Sequence, residues 1–261
     1  MSNWDNYDSQ SGNEPQYGGA KAMAQEYAHP MFAAEAAQSE RAAFIQRTYL
    51  HLGLAILGFV ILEAIAINVI APAIGVQNIL QFFFFGGNWI ASLILIGSYI
   101  GVSYLAQSWA MSSTSRELQY AGLGLYVFLI SFMFMPMMLL ASEYFPGAIE
   151  TAGIATLVVF GGLTAFMFVT KADFSFLRTF LFVGSMAALA TIVASVFMGT
   201  GLGVWFAGAM VVLFSGYILY DTSNIMHHYR TDQHVAASLG LFASVAMLFY
   251  YILMLVMSSR D

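Results

Sequence analysis

Long apolar runs dominate this 261-residue chain and constrain its fold more than any other feature. Hydrophobic residues make up 60% of the sequence and charged residues only 8%, whereas a soluble domain carries about 25% charged residues. A soluble chain of this length could not bury so much apolar surface, because small domains have a high ratio of surface to volume. Most of the surface is therefore expected to face lipid, which makes the chain an integral membrane protein.

The apolar runs have the length of helices that cross a bilayer, about 20 residues each. They do not alternate polar and apolar residues as barrel strands do, so the peptide groups must be satisfied within helices. The sequence predicts an all-α integral membrane fold, a bundle of seven transmembrane helices. The predicted spans one to seven are residues 48–70, 89–109, 118–140, 151–169, 177–198, 202–220 and 235–257. Residues 71–88 predict a short interfacial helix between spans one and two, and Pro136 predicts a kink in span three.

Residues 1–40 differ in composition from the rest of the chain. They are rich in Gly, Gln, Ser and Asn, and their acids are Asp5, Asp8, Glu14, Glu26, Glu35 and Glu40. A segment with so few apolar residues cannot offset the entropy lost on ordering. We therefore expect a disordered acidic cytoplasmic tail over residues 1–40 and a seven-helix transmembrane domain over residues 41–261.

The basic residues predict how the spans are oriented, because cytoplasmic loops are enriched in Lys and Arg. With the N-terminus inside, all eight Lys and Arg residues except Arg260 lie on the cytoplasmic side. The odd number of spans then places the C-terminus outside. The sequence thus predicts a multi-pass protein of the inner (plasma) membrane with a cytoplasmic N-terminus and an extracytoplasmic C-terminus.

Two acids, Asp221 and Glu63, lie in or beside predicted spans. A carboxylate in hydrocarbon costs roughly 2.5 to 3.5 kcal/mol, so it usually faces a cavity or a partner. Asp221 ends span six, where it either faces the bundle interior or lies in the headgroup layer. Glu63 lies roughly 22 Å along span one, too far from Asp221 to share a site. Glu63 either lines a cavity or binds protons, or it only contacts a hydroxyl or amide of another helix. His51, at the level of Asp221, is either its neighbour or an interfacial histidine.

The polar loop before span seven contains His227, His228, Asp232 and His234, which are residue types that bind zinc. Adjacent loop histidines are more commonly solvated, so we predict no metal site and no cofactor. The sequence has no cysteine, and it lacks a phosphate-binding glycine loop, a serine hydrolase elbow and an HExxH motif. It has no basic patch for nucleic acid. The chain is therefore not expected to be an enzyme, and the alternative of an intramembrane enzyme lacks a paired catalytic constellation.

Three segments carry a resemblance to a known family: TKADFSFL at 170–177, YILYDT at 217–222 and LFASVAMLF at 241–249. A weaker match is RTYL at 47–50. In these segments the chain resembles the Bax inhibitor-1 family, also called the transmembrane Bax inhibitor motif family, and the resemblance extends from about residue 41 to residue 256. It implies seven helices, with the last helix central and surrounded by the other six.

The resemblance also implies an activity, because members of the family look like pH-sensitive calcium leak channels. They carry an aspartate pair near the cytosolic side, with one aspartate on span six and one on span seven. The first falls on Asp221, and the second falls on Ser244, where this sequence departs from the family. Two aspartates can share a proton and titrate near neutral pH through like-charge repulsion. Asp221 with Ser244 cannot use that mechanism.

The resemblance therefore implies a pH-sensitive calcium or cation leak pathway with a degenerate aspartate pair. Its ion-pathway and pH-sensing residues would be Asp221 and Ser244, with Glu63 and His51 as secondary candidates. Calcium takes about six to eight oxygen ligands, several of them carboxylates, so a lone Asp221 predicts little calcium leak. The alternative is a non-conducting regulator that binds other membrane proteins, such as a membrane-anchored AAA protease. The expected partners are the lipid bilayer, calcium or other cations and other membrane proteins, with no nucleic acid.

Overall fold

Seven long helices account for most of the architecture, which is taken from a computed structural model that describes residues 32–84, 89–112 and 115–260. Within those residues, seven helices are long and apolar enough to cross a membrane, and there is no strand. The predicted all-α membrane fold with seven spans is confirmed. Spans one to seven are Gln38–Ile74, Trp89–Ala110, Arg116–Tyr144, Ala148–Thr170, Leu177–Met198, Val204–His227 and His234–Ser258.

Span one shows how a lipid solvent shapes each helix. Its buried residues recur every three or four positions, on one face of the helix: Phe44, Thr48, Leu52, Ala55, Phe59 and Glu63. Large apolar residues on its other faces are exposed: Leu50, Leu54, Leu57 and Ile61. Exposed apolar side chains are favourable in lipid, so polarity is reversed relative to a soluble helix and polar groups such as Thr48 and Glu63 turn inward.

Span one extends beyond the predicted end at residue 70. The helix is π-helical over Ala66–Ile70 and α-helical again over Ala71–Ile74. It ends at Gly75, whose φ of 93° lies in the region that glycine adopts without strain. A separate helix, Val76–Phe84, follows and packs against span three through Ile79, Phe83 and Leu139. The predicted short helix is therefore present, but it begins after residue 75, and residues 85–88 lie outside the described part of the chain.

Span six is longer than its hydropathy indicates, since it continues past the predicted end at residue 220 to His227. The backbone turns only after that point, where the N–H groups of His228 and Tyr229 both donate to the carbonyl oxygen of Asn224, at 2.8 and 2.9 Å. Hydropathy marks where apolar side chains stop, whereas backbone hydrogen bonds decide where a helix ends. Asp221 therefore lies inside the helix, about 9 Å before its end.

Span seven is the most deeply buried helix. Of the 18-residue apolar stretch within span seven, 56% is buried inside the bundle, against 50% for span three and 11–28% for the other spans. It packs against spans one, two, three, four and six. Its fully buried residues include Leu241, Leu248 and Leu253. The central position of the last helix stays a prediction, and this burial supports it.

Spans two and three approach each other closely at Gly122. A Cβ atom at this position would lie 2.5 Å from the carbonyl oxygen of Ala106 and 2.6 Å from the backbone nitrogen of Ala110. Only glycine allows this approach, which agrees with the use of small residues where membrane helices cross. Span three also continues as one helix through Pro136.

A short segment before span one, residues 32–37, contacts the loop between spans six and seven. Phe32 forms an antiparallel bridge with Arg230, and the N–H of Ala33 donates to the carbonyl oxygen of Tyr229 at 2.9 Å. Ala33 is completely buried. The sequence places this segment in the tail, because backbone hydrogen bonds leave no trace in composition. Residues 1–31 lie outside the described residues, so disorder of the tail stays a prediction there.

Candidate functional site

The structure brings Asp221 of span six and Ser244 of span seven into contact. The hydroxyl of Ser244 donates to Oδ2 of Asp221 at 2.5 Å. The same hydroxyl lies 3.3 Å from the carbonyl oxygen of Gly240. A hydroxyl carries one proton, so the nearer and charge-capable carboxylate is the stronger acceptor. The site thus consists of one acid held by one neutral donor, in a contact that joins the two helices.

Two tyrosines lie near this contact. Burial raises the pKa of the Tyr229 phenol, and the nearby carboxylate of Asp221 raises it further. Tyr126 of span three also lies within electrostatic range of Asp221. Within the described residues, neither Lys nor Arg forms an ion pair with Asp221. In the described part of the chain, the groups found near Asp221 are therefore neutral hydroxyls, with no Lys or Arg within ion-pair distance.

The loop between spans four and five is attached to span six beside this site. The hydroxyl of Ser223, two residues after Asp221, accepts a hydrogen bond from the N–H of Phe174 at 2.9 Å and donates to Oδ1 of Asp173 at 3.3 Å. The N–H of Ser175 donates to the same Oδ1 at 2.8 Å. This contact gives the TKADFSFL segment a structural role. Sequence reasoning missed the pairing, although both partners lie in or next to motifs that it had singled out.

The lowered pKa of Asp173 agrees with these hydrogen bonds. The backbone N–H of Ser175 is the main cause that holds the pKa of Asp173 below its usual value. His228, whose Nε2 lies 3.9 Å from Oδ2, and the hydroxyl of Ser223 act in the same direction. Asp173 is therefore an acid stabilised in its charged form at the aqueous end of the bundle.

His51 has partners other than Asp221. Its Nδ1 donates to the carbonyl oxygen of Arg47 at 2.7 Å. Its ring stacks on Tyr120 at a centroid distance of 5.5 Å and lies 5.0 Å from the ring of His234. Within the described residues, His51 forms no hydrogen bond with Asp221. The structure therefore groups His51 with the starts of spans three and seven.

Glu63 is buried in span one, one turn after an aromatic cluster around Phe59. Its residue is only 2% exposed, and neither carboxylate oxygen has a hydrogen-bond partner in the described part of the chain. One turn earlier, the ring of Phe59 contacts those of Phe134, Phe242 and Phe249. The hydroxyl or amide contact that the sequence allowed for Glu63 is thus not found among these residues. Its role in an ion pathway stays a prediction.

The polar loop between spans six and seven shows no arrangement suited to a metal. No cluster of three or more His, Asp or Glu side chains that could hold an ion occurs in residues 32–84, 89–112 and 115–260. His228 faces Asp173, and Asp232 pairs with Arg230 at 3.4 Å. The charged groups of this loop therefore contact each other and the neighbouring loop.

Comparisons with known proteins agree with these observations. The family described as inhibitor of apoptosis-promoting Bax1 matches residues 41–261. The chain is 40% identical over 100 residues to Bax inhibitor 1 of Schizosaccharomyces pombe, a segment that covers 38% of each protein. It is 33% identical over 103 residues to protein lifeguard 4 of Mus musculus, covering 39% of this chain and 43% of that protein.

A longer match joins this chain to a bacterial relative. An uncharacterized protein of Neisseria meningitidis serogroup A is 26% identical over 223 residues, which cover 82% of this chain and 90% of that protein. The chain spans less than half the length of the yeast and mouse relatives that it matches. Since the family match covers all seven spans and the segments that meet around Asp221, this chain belongs to the Bax inhibitor-1 family.

Proposed function

We propose that this chain forms a pH-sensitive cation leak pathway with a degenerate aspartate pair, closed near the cytosolic end by the contact between Ser244 and Asp221. The hydrogen bond of 2.5 Å between these residues is the observation that carries the proposal. It ties span six to span seven, so a separation of these two spans at this level has to break it.

Protonation of Asp221 supplies the pH sensitivity. A hydrogen bond to an ionised group contributes about 1.5–3 kcal/mol, against about 0.5–1.5 kcal/mol between neutral groups. A protonated Asp221 therefore holds Ser244 less strongly, and the carbonyl oxygen of Gly240 at 3.3 Å offers the hydroxyl another acceptor. Acidification on the cytosolic side should weaken the closure and increase the leak.

The ion preference follows from the number of carboxylates. Calcium favours about six to eight oxygen ligands, several of them charged, and Asp221 is the one acid in this contact. Hydroxyl groups of Ser244 and the two nearby tyrosines do not replace a second carboxylate. The proposed pathway therefore carries monovalent cations better than calcium, and its calcium leak is small.

Liposome flux across a pH series tests the proposal. The full chain is reconstituted, and potassium and calcium flux are measured between pH 5 and pH 8. We expect potassium flux that increases in acid and little calcium flux. Asp221→Asn, which mimics the protonated acid, should keep the potassium flux raised and independent of pH. Asp173→Asn is the matched control, since it removes an acid from the same end of the bundle outside the contact. Ser244→Asp should rebuild the acid pair and create a pH-dependent calcium flux. A strong calcium leak that Asp221→Asn leaves unchanged would overturn the proposal.

A second candidate is the non-conducting regulator that binds other membrane proteins, such as a membrane-anchored AAA protease. The observation in its favour is the contact of residues 32–37 with the loop between spans six and seven, which connects the acidic tail to the neighbourhood of Asp221. A partner that pulls on the tail would then act on this loop. Absence of flux for every cation, in the wild type and in Ser244→Asp, would favour this candidate.

We also propose that the protein lies in the inner membrane with its N-terminus in the cytoplasm. The exception to the basic-residue pattern, Arg260, has a local role: its guanidinium donates to the carbonyl oxygens of Pro146 and Gly147 and to Thr151. These hydrogen bonds explain why Arg260 lies at the end of the bundle opposite the other basic residues of the described part of the chain. Reporters fused after Asp261 and inserted beside Arg230 should read as extracytoplasmic and cytoplasmic, respectively, and a cytoplasmic C-terminus would contradict this orientation.

A further inference from the structure

Span one, at Arg47 and His51, meets the starts of spans three and seven in a second polar cluster, apart from Asp221. We call it the basic cup and define it by Arg47, His51, Arg116, Tyr120 and His234. Three rings form its floor, because His51 lies 5.5 Å from Tyr120 in a stacked arrangement and 5.0 Å from His234. Each ring comes from a different span, so the floor lies where the three helices join.

Two guanidinium groups form the rim of the basic cup. Arg47 precedes His51 by four residues and Arg116 precedes Tyr120 by four, and residues four apart share one face of a helix. Both helices begin at this end of the bundle, so each arginine lies about 6 Å nearer the membrane surface than its ring. Both guanidinium groups are close enough to His234 to interact with it electrostatically. The cup therefore opens towards the headgroup layer.

The floor contains a buried polar atom that lacks a partner. His234 is 9% exposed, and its Nδ1 has no hydrogen-bond partner among the described residues. His234 is also the first residue of span seven, whose start has no side-chain cap. The first N–H groups of a helix have no partner within the helix and favour negative charge. The buried histidine and the uncapped start of the helix thus lie together, beside the ring of His51 and within electrostatic range of both arginines.

Charge decides which kind of ligand fits the basic cup. The acid that acts on His234 is Asp232, and it is already paired with Arg230 at 3.4 Å. Glu117 follows Arg116 in the first turn of span three and is exposed. The two rim arginines therefore outweigh the acids nearby, which disfavours a cation. A planar guanidinium matches an oxyanion such as phosphate with two parallel hydrogen bonds.

We propose that the basic cup is a phosphate-binding site, filled by the headgroup of an anionic phospholipid or by free phosphate. Basic pockets between transmembrane helices recognise headgroups in this way when they lie at the membrane surface. The rim arginines would hold the phosphate oxygens, while His234 and the first N–H groups of span seven would donate from below. This site does not depend on the cation pathway proposed above.

Lipid binding by the purified full chain tests the proposal. In an uncharged detergent, dioleoyl phosphatidylglycerol is titrated and retained lipid is counted by native mass spectrometry, with thermal unfolding as a second readout. Dioleoyl phosphatidylcholine and inorganic phosphate are titrated in parallel. We expect the wild type to bind phosphatidylglycerol and to unfold at a higher temperature in its presence. Arg47→Gln with Arg116→Gln should weaken binding by at least about tenfold, as expected for loss of one charge-assisted hydrogen bond.

The matched control is Arg41→Gln with Arg178→Gln, which makes the same charge change at the same end of the bundle but outside the cup. It should bind phosphatidylglycerol like the wild type. If inorganic phosphate produces the cup-dependent stabilisation and the lipid does not, the ligand is free phosphate. Equal weakening in both double variants, or no binding of either probe by the wild type, would overturn the proposal. Arg116→Gln alone, at an exposed position, replaces the double variant if the latter does not fold.

Discussion

Two acids lie inside the helical bundle, and the difference between their surroundings is informative. Asp221 accepts a hydrogen bond of 2.5 Å from Ser244, whereas Glu63 has no partner for either oxygen within the described residues. Both acids follow apolar stretches of sequence, so hydropathy alone does not distinguish them. A buried polar group that lacks a partner costs about 1–3 kcal/mol. What distinguishes the two acids is therefore whether a neighbouring side chain donates a hydrogen bond to the carboxylate, and not how deep each acid lies in the membrane.

This difference also bears on function. Asp221 connects two spans, so its protonation can change how those spans hold together. Glu63 is buried one turn after Phe59, and its carboxylate forms no hydrogen bond to another span in the described part of the chain. The helix becomes π-helical just after Glu63, at Ala66, and single π-helical turns are common at functional sites. Glu63 thus lies just before an irregular stretch of backbone, with a carboxyl group that has no hydrogen-bond partner among the described residues.

The largest stability effect is expected from Ser244→Ala, which leaves Asp221 without its donor. We expect the free energy of unfolding to fall by about 2 kcal/mol, the cost of leaving a partly buried, charge-capable acceptor without its donor. Thermal unfolding in one detergent at pH 7 measures it. Ser238→Ala is the matched control, because Ser238 is also buried on span seven but donates only to the carbonyl oxygen of Val235. Equal losses in the two variants would show that the Asp221 contact adds nothing beyond a local hydrogen bond.

Glu63→Met should have a smaller effect and the opposite sign. Methionine has a similar volume and removes two oxygens that have no partner, so no hydrogen bond is lost among the described residues. We expect unchanged stability or a gain of up to about 1 kcal/mol, since replacing an unpaired polar group by an apolar one is neutral to stabilising. Glu63→Ala controls for volume and should destabilise by leaving a cavity. A clear loss in Glu63→Met would mean that Glu63 has a partner and would end the contrast with Asp221.

Deletions in the N-terminal tail test whether the stabilising contacts near Asp221 extend to the segment before span one. Deleting residues 1–31 should leave the unfolding temperature nearly unchanged, as expected for a disordered segment. Deleting residues 1–37 also removes the hydrogen bond from Ala33 to Tyr229 and the buried Ala33 side chain. We expect this deletion to cost about 1 kcal/mol. If the shorter deletion already destabilises the protein to the same degree, the first 31 residues also dock on the domain.

Much of the fold is predictable from the sequence, because the lipid solvent makes hydropathy a strong signal. Span five is the clearest case, since the predicted residues 177–198 coincide with the helix Leu177–Met198. Span six shows the limit: its last turns carry Thr222, Ser223 and Asn224, and the helix continues through them on backbone hydrogen bonds. Hydropathy records side chains, so it ends such a helix too early.

The site was only partly predictable. The meeting of Asp221 with Ser244 came from resemblance to a family, because a separation of 23 residues along the chain between two helices carries no contact signal of its own. The pairing of Asp173 with Ser223 depends on how two loops meet at the end of the bundle. The contact of Ala33 uses backbone atoms that every residue possesses. Contacts of these kinds are decided by three-dimensional packing and not by local composition.

A third acid, Asp173, offers the smallest and most selective test of the comparison, because it has donors like Asp221 but lies at the water-exposed end. The N–H of Ser175 holds the pKa of Asp173 below its usual value, with His228 and Ser223 acting in the same direction. A lowered pKa in the folded state means that the charged form contributes stability above the unfolded pKa, which is about 3.9. That contribution is lost as the pH falls through the folded pKa.

Asp173→Asn should therefore unfold at a slightly lower temperature than the wild type at pH 7, and the two should converge towards pH 3. Because the side chain of Asp173 is half exposed, water screens its contacts and the difference at pH 7 should be smaller than that for Ser244→Ala. A difference that persists unchanged at pH 3 would mean that Asp173 acts through the shape of the loop rather than through its charge.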